Sequence, residues 1–306
     1  MKVTALAPGK VNVCLFLGPV RADGRHQLIT LMESLSLADE LTLETAAGGP
    51  DTVICPGVEG RNLVSDALAA LRSRGWDGPP VRVTIVKRIP LAAGMGGGSA
   101  DAAATLRLAG EVAAVAADLR AAVAASLGSD VPGLLDPGLM FATGAGEVVQ
   151  HVPALASHAF AIVPQPFGLS TAEVYAEADR MDLARSPGRL AQLRVELAAA
   201  LGSGAALPAE MLVNDLQPAA LSLAPQIEQT LRAVLAAGAD RSFVCGSGPT
   251  VAGLFWGPRG LGRAAAAAAS LAPEYPGAVA ASPLPGPIDG SLRPHLRGGA
   301  QSVGVQ

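Results

Sequence analysis

The strongest constraint on this chain is a glycine-rich loop near residue 95. Gly94, Gly96, Gly97 and Gly98 lie between a predicted strand over 81–87 and an Ala- and Leu-rich stretch that predicts a helix. Backbone without side chains can wrap around an anion and present several N–H groups to it, and a helix N-terminus adds positive potential. The loop therefore predicts a phosphate site, although a tight turn that needs glycine only for its backbone would show the same pattern.

The end of the loop narrows the kind of phosphate site. A Walker A loop ends in Gly-Lys-Ser/Thr, whereas this loop ends in Gly98-Ser99-Ala100. A dinucleotide-binding fingerprint would need a glycine where Ser99 stands, followed promptly by a second strand. The loop has no lysine of its own, so the cation must come from elsewhere in the chain. The Ser99 hydroxyl at the helix start is suited to a phosphate oxygen or a magnesium ion.

Two positions outside the loop carry suitable chemistry. Lys10 begins an alternating apolar strand over 11–17, and Asn12 is two residues further on and therefore on the same face. Asp130 lies at a helix-to-loop transition, where a carboxylate could take the proton of an acceptor hydroxyl. By pattern alone, Lys10 could equally be a strand-edge lysine and Asp130 a helix N-cap.

The order of predicted elements indicates an α+β fold. Further predicted strands are 3–7, a strand pair over 35–43 around Asp39-Glu40, 139–143, 147–152, 159–164, 241–245 and 251–255. Predicted helices are 62–74, 100–108, 112–127, one that starts at Ser170, 188–201 and 226–237. Their irregular interleaving in 306 residues favours two domains, 1–155 and 156–282, over a repeating βα architecture. The Gly- and Pro-rich residues 283–306 predict a mobile tail.

Composition limits the classes of partner. A net charge of −4 and 3% aromatic residues give no basis for nucleic-acid binding. Three scattered cysteines without a CxxC pair predict neither a disulfide framework nor a structural zinc site. No secretory leader pattern stands at the start, and no apolar run approaches the roughly 18 residues of a membrane span. We expect a cytoplasmic protein that binds small molecules, as a monomer or weak homodimer.

Three segments, 8–12, 90–100 and 244–250, resemble in order and spacing the three motifs of the GHMP kinase superfamily. This resemblance spans most of the chain. It implies a two-domain α+β fold with the active site in the interdomain cleft, ATP with Mg²⁺ as phosphate donor and an alcohol as acceptor. By position, Asp130 matches the catalytic base and Lys10 its charged partner.

The resemblance also implies the binding residues. Those of the ATP phosphate loop are Pro90, Leu91, Ala92, Ala93, Gly94, Met95, Gly96, Gly97, Gly98, Ser99 and Ala100. Asn62 and Lys87 fall near the adenine pocket. Asn12 and Thr171 match polar positions near the reacting end of the acceptor. The cleft-closing loop of the second domain comprises Gly246, Ser247 and Gly248.

Within the superfamily, segments 21–26, 127–132 and 168–175 resemble the branch that phosphorylates the 2-hydroxyl of a methylerythritol linked to cytidine diphosphate, a step of non-mevalonate isoprenoid synthesis. This resemblance implies that His26 hydrogen-bonds the cytosine edge and that Tyr175 covers one face of the base. The branch usually has an aromatic residue where this chain has Arg25, whose planar guanidinium could also lie on the base.

Two alternatives remain at this stage. A homoserine, mevalonate-type or sugar kinase would share the phosphate loop but not the Asp-Gly-Arg-His segment at 23–26. A protein that binds nucleotide without transferring phosphate would have no need of the pair formed by Lys10 and Asp130.

Overall fold

The computed structural model describes residues 1–58, 60, 62–201 and 204–286, which form two sheets flanked by helices. The strands are β1 Lys2–Val20, β2 His26–Thr45, β3 Thr52–Ile54, β4 Val81–Val86, β5 Leu139–Thr143, β6 Val148–His151, β7 His158–Val163, β8 Arg241–Val244, β9 Val251–Trp256 and β10 Val279–Ala281. The helices are α1 Leu63–Ser73, α2 Gly97–Val112, α3 Ala117–Leu127, α4 Val131–Leu134, α5 Thr171–Arg180, α6 Pro187–Leu201, α7 Gln217–Leu223, α8 Ile227–Ala236 and α9 Gly260–Leu271, with a 3₁₀ turn at Ala209–Met211.

A long antiparallel hairpin of β1 and β2 replaces the shorter strands predicted at the N-terminus. The predicted break at Pro8-Gly9 is wrong, because a register shift between Pro8 and Lys10 absorbs these residues within one 19-residue strand. The predicted strand pair around Asp39-Glu40 is also wrong, because β2 runs through it without turning. The buried Asp39 carboxylate accepts instead from the backbone N–H groups of Arg88 and Ile89, which are distant in sequence.

In the first sheet, β2 pairs with two different strands along its length. Residues 40–45 of β2 pair with β4, whereas residues 30–33 pair with β5. Lys10 on β1 pairs with Ser34, between these two segments, and its N–H donates to the Met95 carbonyl at 2.9 Å. The glycine-rich loop after β4 therefore reaches β1 where β2 changes its partner.

Local signals set the helix boundaries well. Asn62 caps α1 by accepting from the Val64 N–H at 2.9 Å, and Ser170 caps α5 by accepting from the Glu173 N–H. The helices predicted over 100–108 and 112–127 are present as α2 and α3, but their bounds differ: α2 starts at Gly97 inside the glycine run and continues to Val112, and α3 starts at Ala117. The short strands β3 and β10 and the helices α7 and α9 were not predicted.

The second sheet has the order β10-β7-β9-β8 and uses residues from 158 to 281, whereas the first uses residues from 2 to 151. The predicted domain boundary near 155 falls between them and stays a prediction. One apolar core crosses both sheets, since Phe16 and Leu31 of the first belong to the same buried cluster as Phe160 and Leu254 of the second.

The predicted tail starts against the first sheet. The Leu284 N–H donates to the Ser34 carbonyl at 2.9 Å, and the Ser36 N–H donates to the Ser282 carbonyl at 2.8 Å. Residues 287–306 lie outside the described part, and so does most of the predicted mobile segment. Across the described ranges, none of the helices has the length and apolar character needed to cross a membrane.

A buried charge pair joins the two sheets. His158 Nε2 lies 2.7 Å from Glu33 Oε2, and His158 Nδ1 lies 2.8 Å from the Ala156 carbonyl oxygen. A carboxylate and a carbonyl oxygen both accept hydrogen bonds, so this geometry favours the imidazolium form of His158, in which both ring nitrogens donate. Burial opposes this charge, but the hydrogen bond and charge of Glu33, with the Ala156 carbonyl, outweigh it and raise the pKa of His158 above its ordinary value.

We predict that Glu33→Gln destabilises the protein in a pH-dependent way. A raised pKa in the folded state contributes stability that is complete below the unfolded pKa of 6.5 and is lost as pH rises through the folded pKa. The loss in unfolding free energy should therefore be about 3 kcal/mol at about pH 6 and smaller at about pH 9, measured by urea unfolding.

A matched control is Glu40→Gln, which removes an exposed ion pair with Arg88 at 3.1 Å. This control should change the unfolding free energy by less than about 0.5 kcal/mol. A pH-independent loss in Glu33→Gln would contradict the charged state of His158.

Candidate active site

A cleft of about 340 Å³ lies where the two sheets meet. Its walls include many of the predicted site residues, namely Lys10, Asn12, Ala92, Gly94, Gly96, Gly97, Gly98, Ser99, Asp130, Thr171, Tyr175, Gly246 and Ser247. A second cavity of about 510 Å³ shares Leu28, Thr171 and Tyr175 with it and extends to Arg25 and His26. The two cavities form one elongated site with a glycine-lined end and an end lined by His26 and Tyr175.

The glycine-lined end is built by a close approach of two loops. Gly94 has φ +74°, and a Cβ there would lie 2.1 Å from the Cys245 carbonyl oxygen and 2.9 Å from the Gly248 nitrogen. Gly96 has φ +67°, and a Cβ there would lie 3.2 Å from Lys10 Cε. Glycine suits the positive φ at both positions, and at Gly94 a side chain would collide with backbone. The three segments recognised in the sequence, around residues 10, 95 and 246, therefore meet at one place.

Lys10 and Asp130 face each other across the cleft. Lys10 Nζ lies 2.7 Å from Asn12 Oδ1 and 3.5 Å from Asp130 Oδ2. Lys10 is only 5% exposed, whereas the Asp130 side chain is 29% exposed and opens into the cavity. Asp130 occupies the N-cap position of α4 but makes no side-chain capping bond. Its carboxylate is therefore available for an acceptor hydroxyl, with an ammonium group beside it.

The second sheet contributes its own polar groups to the cleft. Thr171 Oγ1 on α5 lies 3.0 Å from Ser247 Oγ in the loop between β8 and β9. This loop is held by Asn214, which sequence reasoning missed. Asn214 Nδ2 donates to the carbonyls of Val244 at 2.8 Å and Gly246 at 2.7 Å. A single asparagine between two helical segments carries no local signal of such a role.

The other end of the site combines a histidine and a tyrosine. His26 Nδ1 donates to the Gly18 carbonyl at 2.8 Å, and its Nε2 lies 3.0 Å from Asp179 Oδ1. The rings of His26 and Tyr175 are 5.5 Å apart. Burial, together with the charge of Asp130, raises the pKa of Tyr175. The phenol is therefore a neutral ring that can pack against a ligand.

Arg25 lies on the rim of this end. Its side chain is 52% exposed and forms an ion pair with Asp23, with Nη2 at 3.0 Å from Oδ2. The backbone N–H of Arg25 also donates to Asp23 Oδ1 at 3.1 Å. The guanidinium is thus held locally and remains accessible from the cavity.

Several predicted binding residues do not line these two cavities. Asn62 caps α1, and Lys87 Nζ lies between Asp39 Oδ2 at 2.5 Å and Asp101 Oδ2 at 2.8 Å. Lys87 nevertheless stays near the loop, since its Nζ lies 3.3 Å from the Cβ position of Gly97. The other residues without a place in the cavity walls are Pro90, Leu91, Ala93, Met95, Ala100 and Gly248. Their binding roles stay predictions.

A metal ion would find few protein ligands here. Within the described ranges, three or more His, Cys, Asp or Glu side chains nowhere cluster in a way that could hold a metal ion. The Ser99 hydroxyl lines the cleft at the first turn of α2. This donor set fits Mg²⁺, which usually keeps water and substrate phosphate oxygens among its ligands.

Comparison with known proteins agrees with this geometry. The family of GHMP kinases N terminal domains matches residues 62–138, and the family of GHMP kinases C terminal domains matches residues 191–274. A 4-diphosphocytidyl-2-C-methyl-D-erythritol kinase of Mycolicibacterium gilvum is 42% identical over 264 residues, covering 82% of this chain and 81% of its own. The kinase of the same name from Rhodococcus jostii is 40% identical over 301 residues, covering 93% and 94%.

Solved structures show the same relationship. A crystal structure of 4-(cytidine 5'-diphospho)-2C-methyl-D-erythritol kinase has 31% identity and a TM-score of 0.72, covering 93% of this chain and 100% of its own. A homoserine kinase from Cytophaga hutchinsonii has a TM-score of 0.68 at 18% identity, covering 93% and 95%, which indicates a shared fold alone. The predicted two-domain α+β GHMP fold is thereby confirmed. The chain belongs to the 4-diphosphocytidyl-2-C-methyl-D-erythritol kinase family of the GHMP kinases.

Proposed function

We propose that this protein transfers the γ-phosphate of ATP to the 2-hydroxyl of 4-diphosphocytidyl-2-C-methyl-D-erythritol, giving the 2-phosphate and ADP. This reaction serves non-mevalonate isoprenoid precursor synthesis. The observation that carries the proposal is the pair of Lys10 and Asp130, 3.5 Å apart, in a cleft that also contains the glycine-rich loop. Family membership supports the choice of acceptor.

The donor end uses backbone groups. The glycine loop and the N-terminus of α2 offer N–H groups and positive potential to the ATP phosphates. Ser99 is the candidate protein ligand for Mg²⁺, which when bound would neutralise charge on the phosphate oxygens. Lys10 adds a fixed positive charge beside the position where the transferred group would pass.

The acceptor end uses side chains. Asp130 is the proposed base that takes the proton of the 2-hydroxyl, and Lys10 beside it favours the developing negative charge. Asn12 and the Thr171–Ser247 pair offer polar contacts to the methylerythritol. The cavity with His26, Tyr175 and Arg25 has the aromatic and polar groups that a cytosine base needs.

The location of the enzyme, its oligomeric state and its partners are also part of this proposal. The odd number and wide spacing of the three cysteines support a cytoplasmic location. Because the residues proposed to bind both substrates and to act as the base all belong to one chain, a monomer or weak homodimer is sufficient for the reaction. The negative net charge gives nucleic acid no reason to bind.

The assigned substrate can be tested by ADP release from magnesium-ATP with three acceptors. We expect turnover with the cytidine compound, much less with its uridine analogue and none with homoserine. Comparable turnover of the cytidine and uridine compounds would show that the base is not read. Turnover of homoserine alone would keep the kinase activity and exclude the proposed acceptor.

We predict that Asp130→Asn lowers kcat by about 10²- to 10⁴-fold, the usual effect of losing a general base. ATP affinity, measured by isothermal titration calorimetry, should change little because the carboxylate does not belong to the phosphate loop. Asp136→Asn is a suitable control, since this exposed aspartate lies in the same stretch of chain. Full activity of Asp130→Asn would remove Asp130 as the base.

We predict that Arg25→Ala raises KM for the cytidine acceptor about fivefold, with kcat and KM for ATP nearly unchanged. This corresponds to the loss of a contact worth about 1 kcal/mol between a cation and a π system. Arg25→Tyr should restore the wild-type KM, because a ring can cover the same face of the base. An unchanged KM in Arg25→Ala would show that the guanidinium does not contact the cytosine.

A further inference from the structure

Thr30 on β2 was not identified from the sequence. Its hydroxyl belongs to a chain of three hydrogen bonds that begins at Lys10 and ends at the Cys14 carbonyl. Lys10 Nζ donates to Asn12 Oδ1 at 2.7 Å, and Asn12 Nδ2 donates to Thr30 Oγ1 at 2.8 Å. Thr30 Oγ1 then donates to the Cys14 carbonyl at 2.7 Å. Lys10, Asn12 and Thr30 are all buried.

The direction of these bonds follows from their partners. The Cys14 carbonyl only accepts, so the Thr30 hydroxyl hydrogen is used there and its lone pairs are left for Asn12. The Asn12 amide must therefore turn its NH₂ group toward Thr30 and its oxygen toward Lys10. The reverse orientation would place NH₂ against the Lys10 ammonium, where neither group can accept.

We propose that Thr30 is a positioning residue that orients the Asn12 amide and thereby holds Lys10 beside Asp130. This inference rests on the proposed function, in which the Lys10–Asp130 pair acts in phosphoryl transfer. Without the hydroxyl, the buried Asn12 NH₂ loses its acceptor, which is costly. The Cys14 carbonyl loses its donor at the same time, so a shift of the Asn12 NH₂ group toward that carbonyl would relieve the cost and would carry the acceptor oxygen away from Lys10. Thr30 thus acts through Asn12 and not on the reacting atoms.

The cleft position of Thr30 suggests a competing role. Its side chain also lines the 340 Å³ cavity, so its hydroxyl could bind the acceptor directly. The donor of that hydroxyl is already used by Cys14 and one lone pair by Asn12, which leaves little capacity for a ligand. Kinetics distinguish the two roles, because a lost binding contact raises KM and a displaced catalytic group lowers kcat.

The test compares Thr30→Val, which keeps the shape and removes the hydroxyl, with Thr30→Ser, which keeps the hydroxyl. We expect Thr30→Val to lower kcat about 10- to 100-fold, a typical cost of misplacing a catalytic group, with both KM values within about threefold. Thr30→Ser should stay within about threefold of wild type. The control is Thr230→Val on α8, a buried threonine whose hydroxyl donates to Gln165, and neither residue lines the cleft. It should leave kcat unchanged.

A double-mutant cycle separates positioning from a general structural effect. In an Asn12→Ala background, Thr30→Val should lower kcat no further, because the amide that it orients is gone. Three outcomes would overturn the proposal. The kcat losses of the two single variants could multiply in the double variant, Thr30→Ser could be as slow as Thr30→Val, or the effect of Thr30→Val could be confined to KM. Thr30→Ala replaces the valine variant in the same cycle if that variant does not fold.

A crystal structure of Thr30→Val tests the geometry without relying on activity. We expect an Asn12 amide shifted away from Lys10 and a Lys10 Nζ displaced from Asp130. Retention of the 2.7 Å bond from Lys10 to Asn12 and of the 3.5 Å distance to Asp130 would overturn the positioning role. If the wild-type enzyme does not phosphorylate the cytidine acceptor, the proposed function fails, whereas the positioning role is still decided by this structure.

Discussion

The candidate active site depends on the backbone contact at Gly94. There the loop after β4 touches the loop between β8 and β9 so closely that a Cβ would lie 2.1 Å from the Cys245 carbonyl oxygen. The same segment is tied to β1 through the bond from Lys10 N–H to the Met95 carbonyl. Backbone joins the three motifs, so the amide groups of the loop need no side chains to reach an anion.

Charge is arranged in two groups beside the glycine loop, one near Gly96 and one near Gly97. Lys10 is shared between Asn12 and Asp130, and Lys87 lies between Asp39 and Asp101. Burial raises the pKa of Asp101, and Lys87 opposes that rise. Lys87 does not line the cleft, so among the described residues that do, the groups with positive charge are Lys10 and the N-terminus of α2. This division separates a lysine that is held between two aspartates from one that lines the cleft.

The predictions from sequence succeeded where the signal was local. Asn62 and Ser170 were correctly placed at helix starts, because a capping residue contacts N–H groups two or three positions away. The break at Pro8-Gly9 and the turn at Asp39-Glu40 were predicted wrongly. Both segments continue as strands, because a bulge absorbs the first and distant backbone N–H groups satisfy Asp39. The local sequence pattern does not show hydrogen-bond partners that are about 50 residues away in the chain, as those of Asp39 are.

The same division holds for the site. The sequence by itself singled out the glycine-rich loop and, through the resemblance to the GHMP kinases, the two charged residues Lys10 and Asp130 as candidates, because each residue type carries its chemistry in its own side chain or backbone. Only the tertiary structure decided that Asn12 donates a hydrogen bond to the Thr30 hydroxyl and that Asn214 donates one to the Gly246 carbonyl. These bonds span 18 and 32 residues, and a hydrogen bond across such a distance leaves no periodic trace in the chain.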